Sequence, residues 1–343
     1  MTLNRRSLIA GVAGAGFAGA GAIGLLPRVA RAQNITARQY HPQPAASHLH
    51  IYLSKLWDAV RVETGGRLDV TVHAQNNGVP IADPEILKQL QAGELEFFVL
   101  NGNILSQAHP AADIQGIPFA FTTSEQVTSL TDGALGALMR EGLADAGVYL
   151  IPFGGMENGF KHITSVEKPI RTAADLEGFR MRTPGGKLFV EFYRALGAEP
   201  KIIGFNRLYQ SLAERQVDGQ ENPLVIAEEN KLYEVCKYLS LTNHQWAGYN
   251  MLANHAFWLR LPADIRDTVI RNAKIYVAQQ RTFVRNANAS LEKTLRERGM
   301  VVNTVDVASF RKRLIDTHFY RDWRQSTGEK AWALMEAEVG KVG

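Results

Sequence analysis

One cysteine, Cys236, stands in 343 residues. That excludes an intramolecular disulfide, a Cys-x-x-Cys zinc knuckle and an iron–sulfur ligand set. What remains for Cys236 is the role of a small buried apolar side chain in the helical-looking run Leu232-Tyr233-Glu234-Val235-Cys236. Dense metal-ligand groups are equally scarce. There is no His-Glu-x-x-His, and the nearest pair, His48 and His50, diverges on the helix expected there. Beyond residue 32 no Gly-x-Gly-x-x-Gly occurs, and Gly-x-Ser-x-Gly is absent throughout. Oxidoreductase, metallohydrolase and serine hydrolase readings therefore lack their chemistry. The chain is read as a non-enzyme, without metal or cofactor.

An excess of one charge sign is missing too, once the N-terminus is set aside. Lys and Arg number 38 against 34 Asp and Glu. Arg5, Arg6, Arg28 and Arg31 lie in residues 1–32, which hold no acidic residue, so the rest of the chain balances. A nucleic-acid footprint or a polybasic membrane patch loses its motivation.

Residues 1–32 read as a cleaved export signal. Asn4-Arg5-Arg6-Ser7-Leu8-Ile9 leads into an uncharged, Gly/Ala-rich stretch to Leu26, followed by Arg28 and Ala30-Arg31-Ala32. The paired arginines and weakly apolar core resemble a twin-arginine signal, which places the mature chain in the periplasm. A membrane anchor is the competing reading; glycine and alanine contribute too little transfer energy to favour it.

The remaining length, about 310 residues, suits two cores better than one. Ile35 to Tyr40 reads as a strand, and Ser47 as the cap of a helix carrying Leu49, Leu53, Leu56, Trp57 and Val60 to Gly65-Gly66. Leu68, Val70 and Val72 alternate as a strand. Asp83-Pro84 supplies a cap and a first-turn proline for a helix with Ile86, Leu87 and Leu90, ended by Gly93. Leu95 to Leu100 is a further strand. This alternation implies parallel pairing, with clefts beyond the carboxyl ends of the strands. The segments 89–96 and 211–218 align as helix-to-strand passages, which suits two related α/β lobes. After Pro262 the pattern turns helical, over Asp264 to Asn288, Leu291 to Arg298 and again after Val307. No low-complexity linker separates the halves, so the chain is expected to cross between lobes more than once.

The segment from Phe179 to Pro223 is the most informative. It places arginines on a strand at Arg180-Met181-Arg182 and a carboxamide before a proline at Asn222-Pro223. Phe179 and Met181 can face a core while Arg180 and Arg182 share the other face. A guanidinium offers a carboxylate a planar fork, and Asn222, held extended by Pro223, can donate and accept. Such a set holds an anion without transforming it.

Several ordered motifs then carry a family resemblance. They are Asn158-Gly159-Phe160-Lys161-His162-Ile163-Thr164, Asp175-Leu176-Glu177-Gly178-Phe179-Arg180-Met181-Arg182-Thr183-Pro184, Leu196-Gly197-Ala198-Glu199-Pro200, Val217-Asp218-Gly219-Gln220-Glu221-Asn222-Pro223 and Tyr233-Glu234-Val235-Cys236-Lys237-Tyr238 running to Thr242-Asn243-His244. With looser agreement elsewhere, nearly the whole mature chain resembles the DctP-like solute-binding proteins of tripartite ATP-independent periplasmic (TRAP) transporters. The resemblance implies a two-lobed α/β binding-protein fold with a helical C-terminal part and a ligand held between lobes. Lobe I would comprise 33–158 and about 248–287, and lobe II 159–247 and about 288–343. It implies Arg182 as the partner of a ligand carboxylate and Asn222 as the second contact. Glu221, Lys161 and Arg180 are further candidates, and His48, Phe119, Phe121, Trp246 and Tyr249 are candidate cleft-wall residues. Two departures bear on ligand class: Lys161 stands where many members carry arginine, and Arg207 where glutamate is common. The implied function is an extracytoplasmic receptor, expected to be monomeric, that delivers an organic acid to TRAP-type membrane permease subunits. Feeding a membrane sensor is the alternative.

Overall fold

The computed structural model describes residues 34–343; the export-signal reading of 1–32 lies outside the described residues. Strand β1 (Ile35–Tyr40) leads through a short turn to Ser47, whose side chain accepts the His50 N–H and starts the helix His48–Glu63. Leu49, Leu53, Leu56, Trp57 and Val60 form its buried stripe. Strand β2 (Leu68–His73) returns parallel to β1, with Ile35 opposite Leu68. The helix Asp83–Ala92 buries Ile86, Leu87 and Leu90 and ends at Gly93 in the left-handed conformation (φ 80°) that glycine adopts without strain. Strand β3 (Phe97–Asn101) then pairs parallel with β1 on its other edge.

The chain next covers the sheet with the helices Ser124–Asp132 and Ala134–Asp145 and enters β4 (Val148–Met156). It crosses to a second sheet built from β5 (His162–Ser165), β6 (Arg180–Thr183), β7 (Glu199–Ile202), β8 (Gly219–Asn222) and β9 (Tyr238–Leu241). It then returns as β10 (Tyr249–Asn254), inserted antiparallel between β3 and β4. The first sheet therefore has the order β2-β1-β3-β10-β4. Strand β11 (Val301–Thr304) completes the second, in the order β11-β9-β5-β8-β6-β7.

The two short crossings run side by side, antiparallel. Phe160 bridges Trp246; Lys161 N donates to Gln245 O at 2.8 Å, and Ala247 N to Gly159 O at 3.0 Å. A third crossing is the helix Ala263–Glu297, one unbroken element of 35 residues where the sequence suggested two. Asn286, Asn288 and Ser290 each have weak helix propensity. Its Asn288, however, accepts from Val225 N at 3.1 Å and donates to Asn158 O at 3.3 Å, so tertiary bonding carries the helix through.

The C-terminal part is helical. Val307–Asp316 packs on the second-sheet helix Lys187–Ala195, but Phe319–Thr327 and Glu329–Val339 pack on the turn Pro110–Gly116, and the latter also on the helices Ser124–Asp132 and Ala134–Asp145. The sequence reading assigned this tail to the second lobe. Its buried Phe319, Tyr320, Trp323 and Trp332 instead join an apolar cluster that runs from Leu100 and Ile104 through Phe189 and Phe192, so one core bridges both sheets.

Candidate functional site

Where the crossings meet, the strand ends of both sheets enclose a cavity of ≈ 40 Å³. Pro42 and Gln43 follow β1, Asn101 ends β3 and Tyr249 opens β10. From the other side come Arg182 on β6, Glu221 and Asn222 at the end of β8, and Phe205; Asn158 and Lys161 rise from the crossing. Asp83, at the head of its helix, completes the rim.

Arg182 is 1% exposed. Strand β6 lies between β7 and β8, which holds the Arg182 backbone opposite Lys201 and Gln220. Its Nε donates to Ile203 O at 2.8 Å, its guanidinium carbon stands 5.9 Å from the Phe205 ring centre, and Nη2 is buried without a partner. Among the described residues it has no carboxylate within ion-pair distance. Burial pushes its pKa down to about 10, against the pull of Glu221, Asp83 and Tyr249. A desolvated, unpaired guanidinium is costly to hold, and an anion placed at Nη2 would offset that cost.

Lys161 is different. Its Nζ donates to Glu221 Oε1 at 2.9 Å, lies 2.8 Å from Oε2 and sits 3.7 Å above the Phe189 ring centre. Burial pushes Lys161 down to about 8, with Glu221 opposing the shift. Burial also pushes Glu221 up, but Lys161 and His244 outweigh it and hold the carboxyl below its usual value. His244 Nε2 lies 3.5 Å from Glu221 and 3.2 Å from Tyr193 Oη, while its Nδ1 lies 2.7 Å from Thr242 Oγ1. Lys161 and Glu221 thus cancel locally, and among the described residues Arg182 is the cation of the cavity with no carboxylate at ion-pair distance.

Neutral groups supply the remaining polar lining. Asn222 Nδ2 donates to Gln220 Oε1, which fixes its amide. Gln43 Nε2 donates to Tyr249 Oη at 2.8 Å, joining β1 to β10. Asn158 Oδ1 is buried and unpartnered; its backbone N–H is held by Glu157 Oε1 at 3.0 Å, which also accepts from Gly159 N at 2.7 Å and Trp246 Nε1 at 2.8 Å.

The structure therefore gathers Arg182, Asn222, Lys161, Glu221 and Tyr249 and leaves the other sequence candidates outside the cavity wall. Arg180 shares the pleat face of Arg182, but it opens β6 at the exposed end of the strand, where Asp218 holds it in a double bond away from the cavity. His48 is buried at its helix head against Glu229. Phe119 packs on Phe192, His244 and Phe310, and with Phe121 lines a separate groove behind the crossing. Trp246 is spent on the bridge to Phe160 and the bond to Glu157. Arg207 is exposed and lines neither the cavity nor its mouth. Sequence reasoning missed Gln43, Asn101, Asn158, Phe205 and above all Asp83, which it read as a helix cap. Ala82 occupies the cap position, which frees the Asp83 side chain.

Known proteins match this chain. The profile of DctP, bacterial extracellular solute-binding protein, family 7, covers residues 40–321. An uncharacterized protein of Sinorhizobium fredii is 30% identical over 261 residues, 76% of this chain; the match spans 47% of that relative's own length. The C4-dicarboxylate-binding periplasmic protein DctP of Rhodobacter capsulatus is 32% identical over 207 residues, 59% of this chain and 60% of that one. A solved TRAP periplasmic solute binding protein from a Polaromonas species, bound to D-erythronate, is 26% identical and superposes with a TM-score of 0.82 over 89% of this chain and 99% of its own. The two-lobed binding-protein fold expected from the motifs is the one observed, and the chain belongs to the DctP family of bacterial extracellular solute-binding proteins, family 7.

Proposed function

We propose that this protein is an extracytoplasmic receptor that captures an organic acid between its two sheets and delivers it to a TRAP-type membrane permease. The observation that carries the reading is Arg182: a buried guanidinium with no carboxylate at ion-pair distance among the described residues, in a cavity walled by both halves of the chain. The cavity holds no activated nucleophile, since its one lysine–carboxylate pair is locked in a salt bridge. Arg182 binds the ligand carboxylate, and Asn222 and Asn158 orient the groups beside it. The paired crossings and the long helix act as the hinge. The ligand favours the closed state by touching both sides. Micromolar affinity needs about −8 kcal/mol, more than one ion pair provides, so enclosure supplies the rest.

The family and the relatives' descriptions support export to the periplasm. The twin-arginine route, a monomeric state and the lobe boundaries short of the C-terminal tail belong to the same proposal. Among the described residues no helix is long and apolar enough to cross a membrane. A thermal-shift screen of the purified protein against mono-, di-, 2-oxo, sugar and aromatic acids tests the receptor reading. A true ligand raises the melting temperature with concentration; no response to any acid contradicts it.

A further inference from the structure

The cavity at Arg182 opens into a second chamber of ≈ 170 Å³, and Pro42, Asp83 and Phe205 line both. Asp83 thus borders both the space beside Arg182 and the outer chamber. A ligand held at Arg182 and extending toward the outer chamber passes Asp83. Asn76, Ile81, Asn206, Leu208 and Asn230 line that chamber, and no lysine or arginine does.

The wall around Asp83 is built with unusual backbone. Gln75, Asn76 and Asn77 are all left-handed, with φ of 50°, 51° and 60° before Gly78. Such runs are costly for residues other than glycine and persist only where the surroundings enforce them. Here Gln75 N donates to Gln43 O at 3.0 Å and Asn76 N to His41 O at 2.9 Å. The turn delivers Asn76, 6% exposed, against Asp83: its Nδ2 donates to Asp83 Oδ1 at 2.8 Å, and its own Oδ1 is buried without a partner. Asn76 has thus spent a donor on Asp83, whose carboxylate borders both spaces.

We propose that Asp83, held by Asn76, is the specificity-determining residue of the cleft: it selects acids whose end distal to the carboxylate donates hydrogen bonds, as hydroxyls do, and rejects a second carboxylate. The proposal rests on reading the cleft as an organic-acid site. A hydroxylated chain leaving Arg182 meets the acceptor oxygens of Asp83. A dicarboxylate of the same length, with Arg182 already taken by its first carboxylate, would set its second charge beside Asp83 in a chamber lined by no lysine or arginine, a like-charge contact that disfavours it. Burial raises the Asp83 carboxyl above its usual range, while Asn76 and Arg182 pull it back; a ligand hydroxyl stabilises the ionised form.

The test uses titration calorimetry at pH 7.5 with acids matched in carbon number: erythronate against succinate, and gluconate against adipate. The wild type should bind at least one hydroxylated acid about tenfold or more tighter than its dicarboxylate match. Asp83→Asn, which can keep the bond from Asn76, should shrink that ratio about tenfold, and Asp83→Ser should do the same, with unliganded melting temperatures confirming the fold. Equal or tighter binding of the dicarboxylates by the wild type overturns the proposal, as does a ratio unchanged in both variants. Binding of no acid of either kind overturns the organic-acid reading itself, a distinct result.

Discussion

Glu229 Oε1 lies 3.0 Å from both the backbone nitrogen and the ring Nδ1 of His48. Glu229 ends the helix Leu224–Glu229, whose Leu224 and Ala227 belong to the second-sheet core. His48 heads a helix that packs on the first sheet. One carboxylate from one side thus satisfies the N-terminus of a helix on the other, where the helix dipole favours negative charge.

If the halves part about the proposed hinge, this contact breaks with them, so it should act on ligand release. Glu229→Ala is expected to speed dissociation about tenfold, in line with the loss of a charge-assisted hydrogen bond worth about 1.5–3 kcal/mol, with little change in association rate. Stopped-flow kinetics checks this; an unchanged off-rate would confine Glu229 to a structural role.

The Lys161–Glu221 pair predicts a non-additive stability pattern. Glu221→Gln strands a buried ammonium and should cost about 3–5 kcal/mol, whereas removing both charges with Lys161→Met and Glu221→Gln should recover much of that loss. Urea unfolding of the two single variants and the double variant measures the coupling. Additive losses would mean that the charges do not stabilise one another.

Ligand affinity should fall at alkaline pH. Lys161, lowered to about 8, loses its proton first and leaves the Glu221 carboxylate unopposed beside Arg182, which stays charged up to about 10. Binding of a carboxylate should weaken above pH 8, by at most about tenfold per pH unit for one linked proton. The effect on folding has the opposite sign. Between about 8 and the ordinary lysine value of 10.5 the unfolded chain binds more protons, so this group's contribution to stability rises with pH. Calorimetry from pH 7 to 9 separates the two; flat affinity would show that Lys161 keeps its proton.

Arg180 offers the negative control. Paired with Asp218 at the surface, it should tolerate Arg180→Ala with ligand affinity unchanged. A tenfold loss would place it in the site after all.

Much of this was legible in the sequence where local signals agree. The Ser47 cap, the Leu49 to Val60 stripe and the Gly93 stop mark their helices within a residue or two, and Arg182 and Asn222 stand out by residue type and motif. What escaped depends on distant partners. Asn288 reads as a break until Val225 and Asn158 are beside it. Arg180 and Arg182 look equivalent by alternation until Asp218 claims one of them. Asp83 reads as a cap because nothing local reveals Arg182 across the cleft. The lysine at 161 looked like a change of ligand class, but Glu221 absorbs its charge, and Arg207 stands outside the cleft altogether.

The central claim is that Arg182 anchors a ligand carboxylate. Titration calorimetry of Arg182→Ala against the acid that most stabilises the wild type tests it directly. Affinity should fall by about 2–5 kcal/mol, tenfold or more, with the unliganded fold intact by circular dichroism. An unchanged dissociation constant in a folded variant would contradict the account.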